Sequence, residues 1–214
     1  MTGESALFAQ LARALAGYQP RVETDSTYAQ AAVALVCVPD PDAILLIRRA
    51  ERPGDPWSGQ MGLPGGRRGQ EDQDLLATAI RETREEVGLE LAGRHLLGGL
   101  DDLTPTTVAL PRVMVRPYVF QLDRRPDLLP NAEVAFASWV DVAAFQAAGV
   151  YDHWEVEALG YRMRRPGYQL AEGTVWGLTE RILTPFFAVL TGTMPDSASA
   201  ASGATALKHK RLGR

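Results

Sequence analysis

Cysteine is nearly absent. Cys37 stands alone, which excludes an internal disulfide framework and any zinc site built from several thiolates. Histidine is almost as scarce: His95, His153 and His209 lie far apart and show no metal-ligand spacing. No apolar run approaches the roughly 18 residues needed to cross a bilayer. The N-terminus does not read as a secretory signal either, because Glu4 sits where positive charge belongs and Arg13 interrupts the apolar stretch. A large charge excess is also missing: 22 basic against 26 acidic side chains leave a net charge of -4, which speaks against a strongly basic nucleic-acid binder. Ser58 lies in Trp57-Ser58-Gly59-Gln60, with no Gly-x-Ser-x-Gly elbow, and Cys37 has no basic partner near it in sequence. Serine and cysteine hydrolase chemistry therefore lack a starting point. What is plentiful is apolar surface, 46% of 214 residues, enough to fill the core of one domain. The expectation is a cytoplasmic protein acting on a small molecule, monomeric or a homodimer, with no nucleic acid or membrane as partner.

Residues 1–28 read as an N-terminal helix and lead-in, the helix running from its N-cap Ser5 to Ala16 and stopping at Gly17. Residues 29–192 read as one α/β domain. Ala31 to Val38 and Ala43 to Arg49 are β-branched and apolar, and Pro39-Asp40-Pro41-Asp42 between them makes a hairpin. Glu51 to Gln60 is loop, and Met61 to Leu63 is short and extended ahead of Pro64. Asp74 to Val87 is helical and ends at Gly88. Strands are expected near Leu91 to Leu100, Val113 to Gln121 and Val134 to Val140, with helices over Asp141 to Ala148 and Gly177 to Leu190. In the stretch between those helices, Tyr161 and Tyr168 flank Arg162, Arg164 and Arg165, and a substrate lid and a subunit edge are equally open. Residues 193–214 are small and polar with a basic tip, and are expected to be a disordered, solvated tail.

The informative segment runs from Gly65 to Leu89. On a helix turning about 100° per residue, Glu82, Glu85 and Glu86 fall within a sector of roughly 100°. Leu76, Ala79, Ile80, Thr83 and Val87 fill the adjacent sector, expected to face the core. Three crowded carboxylates repel one another, and a hard divalent cation such as Mg²⁺ or Mn²⁺, which prefers oxygen ligands, offsets that repulsion. Gly65-Gly66 just ahead of the helix permits close backbone approach to a ligand or ion. Arg81 can orient one of the acids, with Asp72 as a second partner. Arg48, Arg49, Arg52, Arg67 and Arg68 flank the glycines and suit a substrate rich in phosphate oxygens.

The segment Arg81-Glu82-Thr83-Arg84-Glu85-Glu86-Val87-Gly88-Leu89 resembles the second half of the Nudix box, G-x5-E-x7-R-E-U-x-E-E-x-G-U, where U is apolar. The first half departs from it: five residues beyond Gly66 stands Asp72 rather than Glu, and eight residues rather than seven separate it from Arg81. That expansion is similar to the coenzyme A pyrophosphatase branch. So are Leu45-Leu46-Ile47-Arg48-Arg49-Ala50, the run Gly59 to Gly66, and Val175-Trp176-Gly177-Leu178-Thr179. The upstream signature matches only in part, since Asp55 stands where that branch carries an arginine. The resemblance implies an α/β/α sandwich with a mixed, partly open β-sheet between helices. It also implies a metal-dependent pyrophosphohydrolase of nucleoside diphosphates linked to another moiety, with coenzyme A or its derivatives leading and ADP-ribose, dinucleotides or (d)NTPs as alternatives. A ligand-binding module without catalysis is the reading from another class. Under the resemblance Glu82, Glu85 and Glu86, with the Gly66 carbonyl, hold Mg²⁺ or Mn²⁺. Arg81 supports them, Gly65, Gly66 and Arg67 border the substrate, and Arg48, Arg49 or Arg52 meet its 3′-phosphate. Glu133 is a candidate general base, against the ordinary alternative of a turn carboxylate. Asp101 and Asp102 are loop acids with a smaller claim on the metal. Trp57 either stacks on substrate or covers a loop.

Overall fold

The structure is a computed structural model that describes residues 5–107, 110–158 and 160–191. The expected C-terminal tail therefore lies outside the described residues. A seven-stranded mixed sheet forms the centre, with β1 (Ala29–Val38), β2 (Ala43–Arg49), β3 (Met61–Gly62), β4 (Gly65–Arg67), β5 (Leu96–Gly99), β6 (Val113–Gln121) and β7 (Val134–Asp141). Its main path runs β3-β2-β1-β6-β5, while β4 pairs with β1 and β7 with β2. Only β1 and β6 run parallel, in register from Ala29 opposite Val113 to Cys37 opposite Gln121. The intervening chain supplies helix α2 (Leu75–Val87), the crossover a parallel pair requires.

Both faces of β1 are buried, and its two-residue alternation divides them. Ala32, Ala34, Val36 and Val38 pack with Leu45, Ile47 and the α2 residues Leu75, Ala79 and Val87. Leu35 and Cys37 pack the other way with Ile44 and Leu46, against Phe8, Leu11 and Leu15 of α1 (Ala6–Ala16) and Leu183, Phe186 and Leu190 of α4 (Gly177–Thr191). The sheet is thus sandwiched between helices, as the sequence implies, and the N-terminal helix shares the core of the domain that follows it. No helix of the described residues is long and apolar enough to cross a membrane.

Local chemistry sets the ends of these elements. The Ser5 hydroxyl accepts from the Phe8 amide at 3.4 Å and opens α1. The Asp74 carboxylate accepts from the Ala77 amide at 2.8 Å and opens α2, and Gly88 closes α2 in the left-handed conformation at φ 70°. The short helix expected over Asp141 to Ala148 contracts to α3 (Val142–Phe145).

The stretch left open as lid or edge is a second, three-stranded antiparallel sheet of β8 (Tyr151–Ala158), β9 (Tyr161–Leu170) and β10 (Gly173–Trp176). Its base is fastened to α4. The Tyr151 and Thr184 hydroxyls both donate to Glu180 Oε1 at 2.9 Å, and the Tyr168 and Thr184 hydroxyls bond each other at 2.9 Å. Tyr168 also sits in an aromatic group with Phe145, Tyr151 and Phe187. The other end of β8 and β9 forms an arm whose residues Ala158, Tyr161, Met163 and Arg165 are a wall of the site.

Candidate active site

A cavity of about 850 Å³ opens where β3, β4, the start of α4 and the tip of the β8–β9 arm converge. Glu82, Glu86 and Glu133 line it together with Gly65, Gly66, Arg49 and Arg67. The acidic stripe of α2 is graded rather than uniform: the side chains of Glu85 and Glu82 are 48% and 16% exposed, and Glu86 as a whole residue is 2% exposed. The buried face of α2 comprises Leu75, Thr78, Ala79, Thr83, Glu86 and Val87. It is rotated toward the acids relative to the sector expected from Leu76 and Ile80, and it takes Glu86 in with it.

Two glycines make room for these carboxylates. β4 runs antiparallel to β1, Gly65 opposite Val33 and Gly66 opposite Ala32. The Gly65 amide donates to Glu86 Oε2 at 2.8 Å. A Cβ at Gly65 would collide with the Ala32 carbonyl and Val33, and one at Gly66 would lie 2.5 Å from the Glu82 carboxylate. The first glycine lets the strand close onto β1, and the second lets Glu82 lie across it.

Arg81 organises the acids from outside the cavity. It grips Asp72 in bidentate fashion at 2.9 Å through both Nε and Nη2, while Nη1 reaches Glu82 at 2.9 Å and Glu85 at 3.0 Å. Asp72 also accepts from the Gly69 amide and the Thr78 hydroxyl. The arginine and these donors hold the Asp72 carboxyl far below the usual carboxylate range. Glu85 is drawn outward by Arg81 and does not line the cavity, whereas Glu82 and Glu86 do.

Glu133 arrives from the loop before β7. The Leu129 amide donates to the Val87 carbonyl and the Asn131 amide to Glu86 oxygen of the main chain, both at 2.9 Å, so this loop lies along the end of α2. The Asn131 side chain then accepts from the Glu133 amide at 2.8 Å, and Arg52 Nη1 meets Glu133 Oε1 at 3.0 Å. Burial, reinforced by Glu82 and Glu133, pushes Glu86 up to about 7 against the repaying Gly65 amide and Arg49; burial chiefly, with Glu85 and Glu133, raises Glu82.

Among the described residues no three acidic, His or Cys side chains stand as a ready-made cage for an ion. The donor set still fits a hard divalent cation. Two adjacent carboxylates facing a cavity are held against their own burial and repulsion, and Mg²⁺ accepts one or two carboxylates with water and phosphate oxygens completing its shell.

The arginines divide. Arg49 and Arg67 line the cavity; Arg48 and Arg52 do not. Arg48 lies over the Phe136 ring at 5.5 Å, and Arg49 is bonded to Asp55 at 2.8 Å. The aspartate that stands in the place of the branch's arginine is thus a partner for Arg49. Asp101 and Asp102 are engaged elsewhere, with Arg21 at 2.6 Å and Arg116 at 2.6 Å. Trp57 and Trp176 both border the cavity, joined by Tyr161, Met163 and Arg165 of the arm and by Arg181 of α4.

A protein-family model described as the NUDIX domain matches residues 28–159. The chain belongs to the Nudix hydrolase family. The enzyme class expected from the sequence, a pyrophosphohydrolase, is that family's, and Glu82 and Glu86 at the acidic end of the cavity belong to the segment that resembles its box. The mouse mitochondrial coenzyme A diphosphatase NUDT8 is 31% identical over 168 residues, 77% of this chain and 79% of its own. An uncharacterised Nudix hydrolase NudL of Photorhabdus laumondii is 28% identical over 76% of this chain and 84% of its own. An uncharacterised protein of Schizosaccharomyces pombe is 35% identical over 60% of this chain, which spans only 46% of that protein's length. The fold is shared with a MutT/nudix family protein from Enterococcus faecalis, at TM-score 0.57 and 17% identity over 88% of this chain and 70% of that one. It is shared too with a Nudix hydrolase from Alicyclobacillus acidocaldarius, at TM-score 0.53 and 17% identity over 80% and 100% of the two chains. The Nudix family match ends at residue 159, so β9, β10 and α4 lie beyond it.

Proposed function

We propose that this Nudix chain hydrolyses the diphosphate bond of coenzyme A or its derivatives, giving 3′,5′-ADP and 4′-phosphopantetheine, with Mg²⁺ or Mn²⁺ as cofactor. The observation that carries the reading is the junction, in one cavity, of the buried Glu86, the half-buried Glu82 and the exposed Glu133 with an apolar slot lined by Trp57, Met163 and Trp176. The acidic end suits a diphosphate with its cation, and the slot suits the flat, largely uncharged adenosine half of the substrate, whose base can stack on an indole ring. The similarity to the mouse coenzyme A diphosphatase supports the choice among nucleotide-diphosphate substrates. The single buried Cys37 suits a reducing compartment such as the cytoplasm.

In this reading Glu82 and Glu86 hold the cation, with the Gly66 carbonyl as a further ligand and Glu85 kept at the periphery by Arg81. A bound divalent ion supplies charge neutralisation at the phosphoryl oxygens and a more acidic water. Arg81 fixes the rotamer of Glu82, and the Gly65 amide fixes that of Glu86. Glu133 takes the proton of the water whose oxygen bonds to phosphorus, while the bridging P–O bond breaks and the electron pair leaves with the departing phosphate. Arg67 and Arg49 border the phosphates and offset their charge.

Product analysis tests this. The purified protein, with Mg²⁺ or Mn²⁺, is offered coenzyme A, ADP-ribose, dinucleotides and (d)NTPs. The expected result is 3′,5′-ADP from coenzyme A at the highest kcat/KM of the panel. If ADP-ribose turns over and coenzyme A does not, the substrate assignment falls and the hydrolase class stands.

A further inference from the structure

The arginines that line the cavity differ in how they are occupied. Arg49 is bonded to Asp55 at 2.8 Å, and Arg181 gives Nη1 to the Thr104 carbonyl at 2.7 Å. Arg67 follows Gly66 at the acidic end; its carbonyl accepts from Arg81, and its guanidinium, unpaired among the described residues, stands beside the carboxylates, where the cleaved diphosphate takes it up. On the arm, residues of β9 alternate between the faces of the small sheet. Arg162 lies 3.6 Å from Glu155 and 3.8 Å from Glu157, and Arg164 donates to the His153 carbonyl at 2.8 Å. Tyr161, Met163 and Arg165 line the cavity. The main chain of Arg165 pairs with Trp154 of β8, but its guanidinium has no hydrogen bond or ion pair among the described residues. It is a guanidinium at the rim of an apolar slot, with five donors in a planar fork whose geometry matches a phosphate. It is not carried on a loose strand, because the Tyr151–Glu180–Thr184–Tyr168 bonds fasten β8 and β9 to α4.

We propose that Arg165 selects substrates bearing a second phosphate, remote from the diphosphate that is cleaved. The inference rests on the reading of the cavity as a diphosphate-hydrolysing site and names the group that reads the far end of the substrate. It moves that role from Arg48 and Arg52, which do not line the cavity, and from Arg49, which Asp55 already engages, to a residue contributed by the arm.

The test compares pairs of substrates that differ by one phosphate: coenzyme A with dephospho-coenzyme A, and NADPH with NADH. Wild-type enzyme is expected to favour the phosphorylated member. In Arg165→Gln, KM for coenzyme A is expected to rise about tenfold or more, with kcat within about twofold of wild type. Turnover of dephospho-coenzyme A should change less than about threefold, so the preference disappears. Arg165→Lys keeps part of it, as a point charge without the fork. Arg162→Gln, on the same strand but paired away from the cavity, keeps it whole. Melting curves confirm that each variant is folded. Loss of turnover on both members of a pair alike, or a preference untouched by Arg165→Gln, overturns the proposal. Coenzyme A turnover with an unchanged preference removes the arginine and keeps the substrate. Turnover of NADPH and NADH alone, with the preference lost in Arg165→Gln, removes coenzyme A and keeps the arginine.

Discussion

The box region, from β3 through α2, and the arm, from β8 through β10, face each other across one cavity but are held by different forces. In the box the polar groups turned toward the core are buried and answered: Asp72 accepts from Arg81, Gly69 and Thr78, and Glu86 from Gly65. In the arm the charges are exposed and their pairs long, as between Arg162 and Glu155 at 3.6 Å. The arm's base is tied to α4 by part-buried hydrogen bonds through Glu180 and Thr184. Buried, fully satisfied networks tolerate almost no substitution, whereas exposed pairs contribute little to stability. The box is therefore the part suited to keep a reaction constant, and the arm the part free to vary what is brought to it.

The largest effect should follow from breaking the box at its most buried point. Glu86→Gln keeps the shape and removes the charge. The expectation is a fall in kcat of about 10²-fold or more, the scale on which altered metal-site shells act, with the melting temperature preserved. Turnover within a factor of a few of wild type would remove Glu86 from the cation site. Gly65→Ala forces a methyl group into the Ala32 carbonyl and Val33 at φ +154°. A loss of about 2–4 kcal/mol in denaturant unfolding is expected, together with loss of activity.

A pH series sharpens the same comparison without mutation. Burial raises Glu86 from the ordinary glutamate value of 4.5 to about 7 in the folded chain, so the folded state holds that proton more tightly than the unfolded chain does. Its contribution favours folding fully at low pH and is lost as pH rises from about 4.5 through about 7. Asp72 acts oppositely: its depressed folded value stabilises above the ordinary carboxylate range and is lost only in strong acid. With divalent ions chelated, wild-type protein should lose a few kcal/mol of stability across the Glu86 window. Glu86→Gln should flatten that slope, and Asp72→Asn should leave it in place while removing stability at neutral pH. An equal slope in Glu86→Gln would assign it to another group.

Smaller effects are expected on the arm. Tyr151→Phe removes one of the two hydroxyl donors to the buried Glu180, at a cost of about 1 kcal/mol. It should raise KM for a long substrate more than it lowers kcat, as steady-state kinetics would show. The smallest belongs to Arg162→Gln, for which a stability change under about 0.5 kcal/mol is expected by calorimetry.

How much of this was legible in the sequence follows the same division. The caps of α2, Asp74 and Gly88, act through neighbours three or four residues away, so local pattern sufficed to bound the helix. The Arg81–Asp72 bond was legible because both residues sit in the box. β4 was not: Gly65–Arg67 reads as a turn, and it is a strand only because β1, more than thirty residues earlier, offers an edge to pair with. The arm was illegible for a related reason. Its strands carry charges on their exposed positions and too few β-branched residues to announce a sheet, and their order comes from pairing with one another and from Glu180 below. Of the arginines, adjacency to the glycines favoured Arg48 and Arg52, but strand alternation and a loop carry both away from the cavity. Distance along the chain misleads wherever a sheet intervenes.

The parallel pairing of β1 with β6 has a consequence for how the molecule comes into being. Ala29 cannot meet Val113 until the chain between them has been synthesised and its ends drawn together, the kind of long-range closure that slows folding. A nascent chain that stops short of Gln121 carries the whole acidic helix but lacks the parallel neighbour that completes the bed beneath it. Catalytic competence in this protein should thus emerge late on the ribosome, well after the residues that give the family its signature have left the exit tunnel.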